Sequence, residues 1–266
     1  MQGYLDNLKM GVENFKSSKS VDVSNKDKVD SDEEGQGGGG GDGDDKPGWK
    51  EWLYLAIIAL TGISYNSQKY SLPYAFGYHS DDPLQMNNPF FQISVEYPEL
   101  ATYYPLLSGF AVLLPQAFVG IYTGVLTDKV NRVRLLAAAT ILWSSSTLLA
   151  GEIDNFWVFS GMRVLFGVAV SCANAPGLSL IRDYFSKDYR TFANSINSFS
   201  MYGGYFFSSL SIVFINLFGW RNDYDLTGFL GIILGIVTLL VLQEPERGRF
   251  DSPKQKLTKL EENAGQ

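Results

Sequence analysis

Long runs of apolar residues alternate with short polar or charged segments along most of this chain after residue 51. A bilayer core about 30 Å thick requires roughly 20 mostly apolar residues in a helix. Six runs meet this requirement. The predicted spans are 52–68, 101–122, 135–151, 156–181, 192–217 and 226–243. The pattern therefore predicts an all-α membrane protein whose six transmembrane helices form a bundle over residues 49–243.

Both ends of the chain are polar. Residues 1–48 contain 11 acidic and six basic residues, together with a Gly-rich run at 37–41. Such a segment buries too little apolar surface to offset the entropy lost on ordering. We expect a disordered acidic tail over 1–48 and a charged tail over 244–266. Because no apolar stretch follows Met1 within the first tail, we expect the first span to direct membrane insertion.

Lysine and arginine residues collect on one side of the predicted membrane. Thirteen of them lie in or beside the two tails, the connection between spans 2 and 3, and the connection between spans 4 and 5. The opposite side carries only Arg221, with Lys69 at the boundary. Since basic residues accumulate in cytoplasmic connections, both termini are predicted to be cytoplasmic.

The composition excludes several classes of function. The chain has one cysteine, one histidine and a net charge of −7. A disulfide framework, a metal centre, His-dependent catalysis and a basic nucleic-acid surface are therefore not expected. We predict that the chain is not an enzyme and uses no metal or cofactor.

The connection between spans 2 and 3 reads GVLTDKVNRVR over 124–134. It resembles the signature loop of the major facilitator superfamily, G-x-L-x-D-[RK]-x-x-R-[RK], which lies between the same two spans. The resemblance implies a loop that latches the helices in one conformation through its charges. The residues of this conformational-switch loop are Gly124, Asp128, Lys129 and Arg132.

Further segments resemble motifs of the Spinster-like subgroup of that superfamily. They are R-x-x-x-G at 163–167, D-x-F with a later Arg at 182–190, W-R at 220–221 and E-P-x-R-G at 244–248. The resemblance covers about residues 49–250. It implies a cytoplasmic charge cluster formed by Asp183, Arg190, Glu244 and Arg247.

Polar residues within otherwise apolar spans are candidates for a substrate cavity. A charge within a membrane is costly, so Arg163 is a functional-site hypothesis by default. The candidates are Tyr65, Asn66, Gln68, Gln116, Arg163, Gly167, Asn174 and Asn197. The alternative for the Asn and Gln side chains is hydrogen bonding between helices. The alternative for Arg163 is satisfaction by neighbouring carbonyls or hydroxyls.

Small residues recur at a spacing of four in three spans, which allows close helix approach. They are Gly167, Ser171 and Ala175, then Ser200, Gly204 and Ser208, then Thr227, Gly231 and Gly235. Pro105, Pro115 and Pro176 are candidate sites for helix kinks.

Two departures from the Spinster-like pattern concern acidic groups. Residues 64–70 read SYNSQKY, without the Asp that the subgroup carries late in span 1, and residues 169–171 lack its Glu. No Asp or Glu lies within the apolar stretch of a predicted span. Proton coupling through these six helices is therefore not expected.

The resemblance implies the N-terminal half of a 12-helix transporter, in which two six-helix halves enclose the substrate. The substrate is expected to be a small organic or lipid-like amphipathic molecule that moves by alternating access. The bilayer and a second half, absent from this chain, or a partner subunit are the expected partners. The resemblance favours an endolysosomal or plasma membrane. The alternative is a non-transporting six-helix membrane subunit or scaffold derived from such a half.

Overall fold

The computed structural model describes residues 46–79, 82, 85 and 87–250. Regular structure in this part of the chain is entirely helical. Most of the tail predicted over 1–48, and the end of the tail predicted over 244–266, lie outside the described residues.

Six long helices and one short helix make up the described bundle. Their bounds are α1 Trp49–Gly77, α2 Ile93–Glu96, α3 Leu100–Lys129, α4 Arg132–Glu152, α5 Phe156–Tyr184, α6 Lys187–Phe218 and α7 Trp220–Val241. A π-helical turn, Leu106–Phe110, interrupts α3 between Pro105 and Pro115. Both prolines lack the backbone N–H that an α-helix requires, which favours a local departure from α geometry.

Five of the described helices, α3 to α7, are long and apolar enough to cross a membrane. The predicted span 52–68 lies in α1, which is long enough but not sufficiently apolar. Its second half carries Asn66, Ser67 and Gln68, all of which are buried inside the bundle. Polar side chains that face other helices lower the mean hydropathy of α1 without facing lipid.

Local sequence signals mark the ends of the helices. Asn131 caps α4 by accepting from the Arg134 amide at 2.8 Å, and Asn155 caps α5 by accepting from the Trp157 amide at 2.9 Å. Gly219 joins α6 to α7 with a φ of +86°, a backbone conformation that residues other than glycine rarely adopt. Helices α6 and α7 begin before the predicted spans 192–217 and 226–243, and their first turns contain charged residues.

Helix α1 packs against α6, α4 packs against α5 and α7, and α3 packs against α5. The small residues lie at these crossings, as their spacing predicts. Gly204 faces Asn66 of α1, Gly235 faces Ile141 of α4, and Gly167 faces the Val112 backbone of α3. Because helices gain no hydrophobic driving force by leaving lipid for each other, close packing of their backbones stabilises these crossings.

At the end of the bundle where α7 begins, ion pairs connect α7 to α2 and to the segment between α4 and α5. Arg221 binds the Glu96 carboxylate of α2 and the Asp154 carboxylate, the latter at 2.7 Å. The Trp220 indole donates to the Pro89 carbonyl at 3.0 Å. Burial raises the pKa of Tyr97 to about 12, so its hydroxyl stays protonated and donates to the Ile153 carbonyl.

Candidate functional site

Four of the predicted cavity residues line one cavity of about 190 Å³. Tyr65 and Asn66 come from α1, Asn174 from α5 and Asn197 from α6. Trp143 of α4 contributes an aromatic wall. Asn174 is exposed and Asn197 is half-buried. A pocket with apolar walls and a few polar groups from several helices has the composition of a small-molecule site.

The aromatic ring of Tyr65 is fixed on both sides. It stacks on Phe166 with ring centroids 6.2 Å apart and meets the edge of Trp143 at 6.4 Å. Lys69, one turn further along α1, donates to the Tyr65 hydroxyl at 3.3 Å. Asn66 donates to the Gly62 carbonyl at 2.8 Å. The α1 wall of the cavity is therefore held in place by contacts within α1 and with α4 and α5.

Arg163 does not line that cavity. It is 4% exposed, and its guanidinium donates to the Gln68 carbonyl at 3.3 Å and to the Tyr224 hydroxyl. It also lies over the Phe159 ring, 5.8 Å from the centroid. Its Nε atom is buried without a hydrogen-bond partner, and no carboxylate lies within ion-pair distance in the described chain.

Gln68 connects three helices rather than lining the cavity. Its amide nitrogen lies 3.0 Å from the Thr227 carbonyl of α7, 3.3 Å from the Ser144 hydroxyl of α4 and 3.0 Å from the Ser64 hydroxyl. Its Oε1 atom is buried without a partner. Here the structure agrees with the alternative of hydrogen bonding between helices.

The remaining two cavity candidates also lie elsewhere. The Gln116 side chain on α3 has a buried Oε1 atom without a partner. A Cβ atom at Gly167 would lie 2.6 Å from the Val112 carbonyl oxygen of α3. Gly167 therefore serves the contact between α5 and α3.

Residues of the two predicted charge groups meet in the Arg132 cluster, in which Arg132 pairs with Asp183 and Glu244, and Arg247 follows three residues after Glu244. Arg132 is 2% exposed and binds the Asp183 carboxylate at 2.5 Å and the Glu244 carboxylate at 2.7 Å. It also donates to the Ser179 hydroxyl at 2.9 Å. The cluster connects the start of α4, the end of α5 and the segment after α7.

Arg247 extends the Arg132 cluster to the end of α3. Its guanidinium donates to three backbone carbonyls. They are the carbonyl of Asp128, that of Thr127 at 3.1 Å, and that of Val130 at 2.8 Å. These are terminal carbonyls of a helix, which attract positive charge. Arg247 therefore binds the backbone of Asp128, whereas the resemblance to the signature loop implies an interaction of the Asp128 side chain.

The other residues of the two charge groups lie outside the Arg132 cluster. The Asp128 and Lys129 side chains are exposed. Arg190 donates to the Arg182 carbonyl at 3.0 Å instead of joining the Asp183 carboxylate. A Cβ atom at Gly124 would meet no atom within 4 Å among the described residues.

Sequence reasoning missed Asp223 and Tyr224, which lie just before the predicted start of the last span. Asp223 is 2% exposed and accepts from the Ser71 hydroxyl at 2.8 Å. Tyr224 is fully buried and accepts from Arg163. The signal that could have found Asp223 is the preference for acidic residues in the first turn of a helix.

Comparison with known proteins gives matches over most of the described chain. A sequence model of the Major Facilitator Superfamily matches residues 53–264. The sphingosine-1-phosphate transporter SPNS2 of Danio rerio is 28% identical over 141 residues, which are 50% of this chain and 27% of that protein. Protein spinster homolog 1 of Bos taurus is 27% identical over 171 residues, which are 60% of this chain and 32% of that protein.

A solved structure has the same fold as the described bundle. It is a crystal structure of a bacterial homolog to human lysosomal transporter, Spinster, in an inward-facing and unoccupied conformation. It matches with a TM-score of 0.61 and 21% identity, over 83% of this chain and 50% of that chain. The chain thus spans half of that structure and about a third or less of the two curated relatives.

Proposed function

The chain belongs to the Major Facilitator Superfamily, where it is Spinster-like, and we propose that it forms the N-terminal half of a transporter that moves a small organic or lipid-like amphipathic substrate by alternating access. The observation that carries the proposal is the cavity lined by Tyr65, Asn66, Asn174 and Asn197. An amphipathic substrate requires polar groups and apolar walls together, and this cavity has both. The chain is an integral, multi-pass membrane protein.

We propose that α1 is the sixth span and that both termini are cytoplasmic. At 1.5 Å per residue, the 29 residues of α1 extend over about 43 Å, which exceeds the thickness of a bilayer core. Its polar residues pack against other helices, so lipid contact is left to residues such as Leu53 and Leu60, which are exposed. The basic residues around the Arg132 cluster favour a cytoplasmic position for that end of the bundle.

We propose that the rest of the substrate pathway comes from a second six-helix half. Large apolar side chains cover the outer faces of α3 and α6, including Ile121, Tyr122, Phe199 and Tyr202. Such faces lie against lipid or against another helical bundle. The second half is supplied by further sequence or by a partner subunit. An immunoblot of native membranes for the segment 37–41 separates these sources, since a band above 29.5 kDa indicates further sequence.

Arg163 supplies the positive charge of the proposed transport mechanism. Neutral acceptors hold its guanidinium, and one of its N–H groups is unpaired. An anionic substrate headgroup, or a carboxylate of the second half, would neutralise this charge during alternating access. Sphingosine-1-phosphate, for which the Danio rerio relative is named, carries such a headgroup.

The Arg132 cluster stabilises one of the conformations between which the transporter alternates. Movement between α4, α5 and the segment after α7 would break the ion pairs of Arg132, and movement of α3 would break the hydrogen bonds of Arg247. A substrate shifts the balance between two conformations only through its different affinity for each. The cluster therefore determines how much binding energy the substrate has to supply.

The role of Arg163 is tested by uptake of radiolabelled sphingosine-1-phosphate and of a lysophospholipid into proteoliposomes that contain the full chain together with its native second half. Arg163→Ala is expected to abolish uptake without reducing membrane insertion, because it removes the charge that the substrate or the second half neutralises. Arg134→Ala removes an exposed charge from α4 and serves as the matched control.

Normal uptake by Arg163→Ala would show that this arginine has only a packing role. Absence of uptake by the wild type, together with a stable complex with unrelated subunits, would favour the non-transporting membrane subunit.

A further inference from the structure

A second cavity, of about 390 Å³, lies between α1, α6 and α7. Its walls are formed mainly by leucine, isoleucine and phenylalanine side chains, and Asp223, Gln68 and several serines add polar groups. Phe207 and Leu230 at its rim are more than half exposed. The cavity is therefore a groove that opens on the outer surface of the bundle.

Asp223 places a buried carboxylate in this groove. The Ser71 hydroxyl donates to its Oδ2 atom at 2.8 Å, and Ser211 also hydrogen-bonds its side chain. No lysine or arginine of the described chain forms an ion pair with it. A positively charged ligand would stabilise the carboxylate form of this buried acidic group, so the groove favours such a ligand.

Gln68 adds a second acceptor to the same groove. Its amide nitrogen must face the Thr227 carbonyl, because a carbonyl only accepts hydrogen bonds. The orientation of the amide is therefore fixed, and its Oε1 atom remains buried without a donor. A ligand that satisfies both acceptors has to donate several hydrogen bonds.

We propose that this groove binds a single-chain amphiphile with a primary ammonium headgroup. An ammonium group carries one positive charge and three N–H donors, which matches the Asp223 carboxylate and the Gln68 Oε1 atom. Its alkyl chain lies along Phe214, Leu226 and Leu230, which line the groove. The volume falls within the range of small-molecule sites. The binding does not depend on the transport proposal, since the cavity at Tyr65 is lined by different residues.

The proposal is tested with the full chain in lipid nanodiscs and a dodecylamine probe that carries a diazirine in its alkyl chain. Photolabelling, digestion and mass spectrometry are expected to place the label on peptides of α6 and α7. Unlabelled dodecylamine is expected to compete, whereas dodecanol, with the same chain and no charge, competes weakly. Asp223→Asn is expected to weaken competition by dodecylamine about tenfold or more, through loss of the charged partner.

Asp225→Asn is the matched control, because it removes an acidic group two residues away that lies beside Gly151 and outside the groove. It is expected to leave labelling unchanged. Equal competition by dodecanol and dodecylamine, or unchanged competition in Asp223→Asn, would overturn the proposal.

Two further variants keep the test decisive if Asp223→Asn does not fold. Asp223→Glu retains the charge and is expected to retain selectivity for the amine. Leu230→Trp fills the exposed rim of the groove and is expected to remove the label while Asp223 stays intact. Full labelling of Leu230→Trp would contradict binding at this groove.

Discussion

Replacing Arg132 with methionine is expected to lower the free energy of unfolding by about 3–5 kcal/mol, the usual loss when one partner of a buried ion pair is removed. Methionine keeps an unbranched side chain but removes the charge. The Asp183 carboxylate, 2% exposed, would then lie near that of Glu244 without the cation that both now bind. The loss thus comes from two like charges as well as from the broken pairs.

The measurement is unfolding of the purified full chain in mild detergent by increasing denaturing detergent, followed by circular dichroism. Arg134→Met is the matched control, because Arg134 lies two residues further along α4 and is exposed. It is expected to change stability little, as exposed charges do. Equal stabilities of the two variants would show that the Arg132 cluster does not stabilise the described bundle.

A second substitution separates the charge effect from simple loss of packing. Adding Asp183→Asn to Arg132→Met removes one of the two carboxylates that have lost Arg132 as their partner, and it is expected to restore part of the lost stability. Residues in direct contact are not additive, and a double-mutant cycle measures their coupling. A double variant less stable than Arg132→Met would contradict the electrostatic account.

The sequence pattern predicts the six long helices of the bundle because each is dominated by a run of apolar residues. It locates the crossing points as well, since Gly167, Gly204 and Gly235 follow a simple spacing. It fails where charged residues continue a helix beyond the apolar run. Helix α7 begins at Trp220, ahead of the apolar run that predicts the span 226–243, and Asp223 lies in this first part of the helix.

The candidate sites were predicted less completely because their contacts join residues that are distant in sequence. The resemblance identified Asp183, Glu244 and Arg247, but only the fold shows that Arg132 joins the first two. Polarity selected Tyr65, Asn66, Asn174 and Asn197, which do meet in one cavity. Polarity alone could not separate them from Gln68 and Arg163, which bind other helices.

Gly167→Ala is expected to lower stability by about 1–3 kcal/mol, the usual effect of overpacking a core. The added Cβ atom would lie 2.6 Å from the Val112 carbonyl oxygen and 2.9 Å from the Val112 Cα atom. Both atoms belong to the α3 backbone, which cannot turn aside as a flexible side chain does. The whole of α3 therefore has to move away from α5.

Gly161→Ala on the same helix is the matched control, since its Cβ atom would meet nothing within 4 Å in the described part of the chain. Alanine favours a helix over glycine by roughly 0.5–1 kcal/mol, so this variant is expected to be slightly more stable than the wild type. Unfolding in detergent should thus shift in opposite directions for the two variants. A shift in the same direction would mean that the close contact between α3 and α5 does not limit the size of the side chain at residue 167. The small-residue spacing would then not explain this crossing.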